Sequence, residues 1–195
     1  MQVVDRRHQF GVAILRVGVG IIFLWAGLEK VIGAGGEWSA AGFLGSGTGG
    51  SLGWPFVTGE IAEGTIFNPT QSFWAGLADS DAAMAVINLL VPWSQIGIGV
   101  SLILGLLTRF AAAMGTLMML FFFVAAWDFE FGIVNQHLTY AVVTFFLGYI
   151  GSGNFYGLDR SVGQMVGPGL RRWLFSGDVY RTAEGQGRTP APAMA

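Results

Sequence analysis

The chain has no cysteine. That excludes disulfides, thiol redox chemistry, iron–sulfur clusters and haem attached through cysteine. Histidine is nearly as scarce, with only His8 and His137 in 195 residues, so any redox cofactor has to be diffusible or non-covalently held. Charge is thin as well: 11% of residues are Asp, Glu, Lys or Arg, against about a quarter in soluble domains. The net charge of −2 gives no reason to expect nucleic acid as a partner. What remains is apolar, with 53% of residues hydrophobic, in a chain long enough for one domain.

The apolar residues come in runs. Residues 86–107 and 110–127 are separated only by the polar mark Leu107-Thr108-Arg109. At about 1.5 Å per residue each run approaches the roughly 30 Å of bilayer hydrocarbon. Neither run shows the polar outer face of a helical hairpin in a soluble protein. A third run, 11–33, follows a basic start with Arg6 and Arg7. It is too long for the core of a signal peptide and contains Arg16, so it reads as a retained helix, and Arg6-Arg7 reads as a topological anchor rather than a twin-arginine export signal. A fourth run covers 134–151. The expected fold is an all-α integral membrane protein, a four-transmembrane-helix bundle over residues 1–160. A tail, 161–195, follows, disordered where Gly, Pro and Ala dominate after Arg181.

Between the first two spans lies a connection, 34–81, with no lysine or arginine but with Glu37, Glu60, Glu63, Asp79 and Asp81. Its segment GSGTGGSLGWP is expected to be irregular, since glycine penalises helix and Pro55 breaks it. Asn68-Pro69 reads as an N-cap and first helical residue. The short helix that follows, to about Asp79, places Phe73, Trp74 and Leu77 on one side, either at the membrane surface or folded over the bundle as a lid. The turn Asp128–Gly132 is also acidic. Every basic residue outside the spans sits at the N-terminus, in the Thr108-Arg109 turn or in the tail. The positive-inside rule then puts both termini in the cytoplasm (N-in/C-in) and the long loop outside a multi-pass cell membrane. Trp38, Trp54, Trp74, Trp93 and Trp127 fall on the outer side, as an interfacial belt does.

Three spans carry polar residues on one helical face. In the first, Arg16, Gly20, Phe23, Gly27 and Lys30 align; glycines there allow close helix packing, and ionisable side chains avoid lipid tails. Two roles are open to Arg16: snorkelling to headgroups, or a structural charge pair with Asp159. The second span aligns Asn88, Pro92, Gln95 and Gly99, and Gln95 near mid-membrane needs a hydrogen-bond partner. The fourth aligns His137, Tyr140, Thr144, Gly148 and Gly151. Under this topology Lys30, Asn88, His137, Tyr140 and Asp128 fall in the outer half, with Gln95 beneath. Such a set is either a pocket for a lipid-soluble small molecule such as a quinone, with Lys30 or His137 donating to a carbonyl, or a polar network that only holds helices together. His8 and His137 lie on opposite membrane sides and cannot share a haem or metal. Only Asp128 and Glu130 could approach His137, and no metal site is expected. The glycines of 45–53 lack the lysine and helix of a phosphate loop.

LRVGVGIIFLWAGLEK in the first span, IGIGVSLILGLLTRFAAAMG across the central hairpin and GSGNFYGLDR after the fourth together resemble the DoxX/DoxD family of small four-helix membrane proteins. The likeness covers nearly all of 11–160. Arg16, Gly27, Lys30, Gly105, Arg109 and Asp159 are the positions that fit, as does NQHLTYAVV at the start of the fourth span. Gln95 stands where many members carry an acid. The length of 34–81 is closer to DoxD-like members. The resemblance implies an integral membrane subunit of a respiratory redox complex. For DoxD-like members it implies a thiosulfate:quinone oxidoreductase subunit that works with a second redox subunit and passes electrons to quinone. Quinone would be a substrate, with no covalent cofactor, and Lys30, Asn88, Gln95, His137 and Tyr140 are the candidate contacts. The competing reading is a non-enzymatic membrane scaffold of an oxidoreductase assembly, in either case open to homo-oligomer formation in the bilayer. A solute transporter is disfavoured, because no inverted repeat is visible.

Overall fold

The structure, a computed structural model, describes residues 5–33, 37–52, 65–130 and 133–176. Trp54, Pro55, Glu60, Glu63, Gly132 and the stretch after Arg181 lie outside the described residues. Helix α1, Arg6–Leu28, starts at Asp5, whose carboxylate accepts from the Arg7 amide, and continues through a wider turn of π type, Glu29–Gly33. After a second such turn, Phe43–Gly47, come strand β1, Ser51–Leu52, and helix α2, Gln71–Ala78. Helix α3, Asp81–Leu104, is capped by the Ser80 hydroxyl, and α4, Thr108–Ala126, follows after three residues. Strand β2, Asp128–Phe129, leads to α5, Gln136–Tyr149, capped by the Asn135 side chain. The remaining elements are short: α6, Asp159–Val162, and α7, Pro168–Leu174, among tight turns.

Helix α1 with its following turn, α3 and α4 are long and apolar enough to cross a membrane. Helix α5 has 14 residues, about 21 Å at 1.5 Å per residue, and falls short of a full crossing by itself. Large apolar side chains stand exposed on the outward faces, among them Ile21, Trp25, Leu89, Leu120 and Phe145. Water would penalise such a surface and lipid does not.

The helices pack as two close pairs, α1 with α3 and α4 with α5. Glycine is what permits the first pair. A β-carbon on Gly99 would lie 2.5 Å from the Leu24 amide nitrogen and 2.8 Å from the Gly20 carbonyl oxygen; one on Gly27 would lie 2.8 Å from the Pro92 oxygen. Backbone meets backbone along this seam, as in small-residue packing of membrane helices. The pairs join through a core of Val19, Phe23, Ile98, Leu102, Ala111, Met119, Ala141 and Leu147. Between them α3 and α4 diverge.

The described part of 34–81 forms a lobe at one end, on a second core of Ala40, Leu44, Trp74, Met84 and Ala125. This end is called the lobe end below, and the α3–α4 turn marks the hairpin end. Three details differ from the sequence reading. Part of the glycine-rich segment is ordered: Gly45 and Gly47 lie in a helical turn, and Ser51–Leu52 pairs in parallel with Asp128–Phe129, the one strand pairing in an otherwise helical fold among the described residues. The Ser51 hydroxyl donates to the Asp128 carboxylate at 2.7 Å. Asn68 is not the N-cap of α2; Thr70 is. Asn68 is instead buried, donating to the Val124 and Ala125 carbonyls and accepting from the Thr70 amide and hydroxyl. It takes up carbonyls left open at the C-terminal end of α4, which outweighs a local cap. Third, α3 spans Asp81–Leu104, so the expected run 86–107 begins inside it and its last three residues lie in the α3–α4 turn.

Gly99→Ala is expected to lower stability by about 1–3 kcal/mol by forcing the α1–α3 seam apart. Gly97→Ala, with open space around its α-carbon, is expected to cost nothing. Thermal unfolding of both variants in detergent checks the pair.

Candidate functional site

At the hairpin end the chain buries two charges. Arg16 is 1% exposed and Asp159 is 2% exposed. The Arg16 guanidinium donates through Nη1 to the carbonyls of Ser152 and Phe155 and through Nη2 to that of Tyr156. Asp159 accepts from the Thr108 amide at 3.3 and 3.4 Å and from the Ser176 amide at 3.0 Å. The carboxylate therefore sits at the N-terminus of α4, where free amides and the helix dipole favour an anion. Both charges lie in one junction around the 152–159 turn and attract each other across it. Their hydrogen bonds run through backbone groups of that turn, α4 and Ser176. Space is tight: a β-carbon on Gly105 or Gly157 would meet the Arg16 guanidinium, and one on Gly153 the Asp159 carboxylate.

Elsewhere the divergence of α3 and α4 opens a groove of about 990 Å³ along the bundle. Lys30, Trp38 and His137 line it toward the lobe, and Leu107 and Phe110 line its far end at the hairpin. Between them the walls are mainly apolar, with Ile87, Leu90 and Val91 from α3 and Met114, Leu117, Met118 and Phe121 from α4, broken by Ser94 and Ser101. Lys30 is the chain's single lysine. Its Nζ donates to the Ala26 carbonyl at 2.9 Å and stands 5.6 Å from the centre of the Trp38 ring, a cation–π distance. His137, in the first turn of α5, packs edge-on against Phe122 with ring centres 6.0 Å apart. Its Nδ1 is buried with no hydrogen-bond partner among the described residues.

The residues singled out from the sequence divide. Lys30 and His137 both line the groove. Asn88 does not; its carbonyl oxygen accepts from the Ala40 amide and its amide donates to the Ser39 hydroxyl, tying the lobe to α3. Gln95 is 3% exposed and does not line the groove, with its Oε1 unpartnered among the described residues. Tyr140 packs against the bundle core. The groove's aromatic rim of Trp38, Phe43, Phe73 and Trp74 was not singled out as site residues. The sequence places Phe73 and Trp74 together on the lid helix, but nothing local marks Trp38 and Phe43, which the lobe brings there. Among the described residues no three of His, Cys, Asp and Glu gather as a metal ion would need.

Arg16→Met leaves the Ser152, Phe155 and Tyr156 carbonyls without their donor, and is expected to cost roughly 3 kcal/mol or more. Arg109→Gln, which loses one exposed bond to the Arg172 carbonyl, is expected to cost about 1 kcal/mol or less. Unfolding midpoints in detergent measure both.

Comparison with known proteins adds a family. A family model described as DoxX matches residues 11–128, more than half of the 195 residues. No curated protein and no solved structure matches. The matched region holds Arg16, the α1–α3 glycine seam, both long walls of the groove and Lys30, and the chain belongs to the DoxX family.

Proposed function

We propose that this chain is a membrane subunit of a redox assembly that binds a quinone in the α3–α4 groove. The ring lies at the Lys30–His137 end and the isoprenoid tail along the apolar walls. DoxX is a membrane family often linked to redox and quinone-related function. The observation that carries the reading is the make-up of the groove. It is a long apolar trough whose one polar end offers an ammonium group and a buried, unpartnered imidazole nitrogen. A quinone has the matching division, with carbonyl oxygens at its head and hydrocarbon behind.

Lys30 keeps two N–H donors beyond its bond to Ala26, enough to hold one quinone oxygen, while the Trp38 face steadies the ammonium. His137 presents Nδ1, which satisfies its buried hydrogen-bonding demand by donating to the second oxygen. A bound quinone supplies two-electron, two-proton chemistry. The chain's part is to orient the ring, exclude water along the apolar walls and hold a proton at Lys30 Nζ or His137 Nδ1. Electrons come from a second subunit, since a cysteine-free chain has no thiol or cluster of its own; thiosulfate is the donor if the DoxD-like likeness extends to function. In this reading α5 makes the fourth crossing, extended by Ile133 and Val134, and both termini face the cytoplasm, where the arginines concentrate.

Lys30→Met and His137→Phe are each expected to weaken binding of a short-tailed quinone about tenfold, and Gln95→Leu is expected to leave it unchanged. Quenching of Trp38 and Trp74 fluorescence in the purified protein reads the affinity. Absence of quenching, or equal affinity in all variants, overturns the assignment. The absence of cysteine makes the topology directly testable. Ser46→Cys and Ser161→Cys, both exposed, are expected to react with an impermeant maleimide from outside and from inside the cell respectively. Labelling from one side only refutes the arrangement.

A further inference from the structure

Beyond the α3–α4 turn the molecule carries a layer that the long helices do not cover. It consists of the first turns of α1 and the segment 155–176, tied together by the edge-on contact of Phe10 with Tyr156, ring centres 6.3 Å apart. Phe175 is buried beneath it, and Ser176 anchors it to Asp159 and to the Gly153 amide. Its outward side chains contrast with that anchorage. Tyr156 is 66% exposed, Met165 85%, Leu170 54% and Trp173 78%. Leu170 and Trp173 are three residues apart on α7 and so share a face.

A hydrogen bond marks the level of this layer. Arg109, in the first turn of α4, donates to the Arg172 carbonyl at 3.1 Å, which holds α7 beside the point where the α4 apolar run begins. With the long helices crossing a bilayer, its boundary falls at that height, and apolar side chains exposed there meet headgroups and upper acyl carbons rather than bulk water. The charge around them is mainly positive. Arg6, Arg7, Arg109, Arg160, Arg171 and Arg172 belong to this end, against Asp5 and an Asp159 whose carboxylate is already taken by the Thr108 and Ser176 amides. Exposed Trp, Leu and Met beside clustered arginine is the make-up of a surface that binds anionic membrane.

We infer that α7 and the turn before it form an in-plane anchor that binds anionic phospholipid headgroups, with Leu170, Trp173 and Met165 inserted and Arg172 on the phosphates. The inference needs only that the long helices cross a bilayer; it stands or falls separately from quinone binding.

The full chain tests it through a single introduced thiol, Met165→Cys, carrying a nitroxide. In vesicles of phosphatidylcholine with phosphatidylglycerol the nitroxide is expected to be reached by oxygen and shielded from a water-soluble nickel complex. In detergent, short-chain phosphatidylglycerol is expected to bind more tightly than phosphatidylcholine. Arg172→Glu, a change of two charges, is expected to weaken phosphatidylglycerol alone by roughly 30-fold. Arg172→Gln is expected to give roughly fivefold and serves if the reversal misfolds. A nitroxide open to nickel in the vesicles overturns the anchor. So do equal affinities for the two lipids, indifference to both Arg172 variants, or spin–spin broadening from a second copy on this face.

Discussion

A guanidinium inside a lipid-facing bundle cannot stay without acceptors, because an uncompensated charge there costs several kcal/mol. Arg16 meets that demand with three carbonyls of the 152–156 turn, and Asp159 meets its own with the amides of Thr108 and Ser176. Five segments are therefore drawn to one place: α1, the α3–α4 turn, the start of α4, the 152–159 turn and the residues after α7. The backbone accommodates them at a cost. Leu107 and Tyr156 adopt left-handed conformations, at φ 52° each, which non-glycine residues enter only when surroundings hold them there. Glycine at 105, 153 and 157 keeps β-carbons out of the space the two charges occupy.

With that end closed, the rest of the bundle has freedom to open. The glycine seam binds α1 to α3 and close packing binds α4 to α5, so the long apolar groove arises between two pairs rather than inside either. Its contents are set by which faces the pairs leave over. On α3 and α4 these are mainly aliphatic and aromatic, with only the Ser94 and Ser101 hydroxyls among them, and the titratable groups enter where α1 and α5 end against the lobe, through Lys30 and His137. The lobe contributes walls as well as cover, since Trp38, Phe43 and Trp74 complete the rim.

How much of this could be read from residues alone follows from how local each cause is. The three long helices are legible because length and apolarity suffice to mark them. A face carrying Arg16, Gly20, Gly27 and Lys30 is legible from the helical repeat, and it does turn toward α3 and the groove. The roles of Asn68, Asn88 and Ser176 are not. Each works through a backbone group 20 or more residues away, such as Asn68 with Ala125 at a separation of 57, and an Asn or Ser carries no periodic signal to reveal it. The course of the groove is invisible for a related reason: a pocket near Lys30 and His137 is expected from their faces, but its run between α3 and α4 depends on how two largely apolar helices pack. Strand pairing of two residues is below what any alternation pattern can show.

The cap of α4 has a temporal side. Thr108 opens the helix, yet the carboxylate that takes its amide stands 51 residues later in the chain. As a ribosome delivers the chain into a bilayer, the central hairpin arrives with its turn chemically open, and water or a chaperone must occupy those amides until Asp159 emerges. Completion of the bundle is thereby deferred until the 152–159 turn has been made, and a chain truncated before it would stop as an unlatched intermediate.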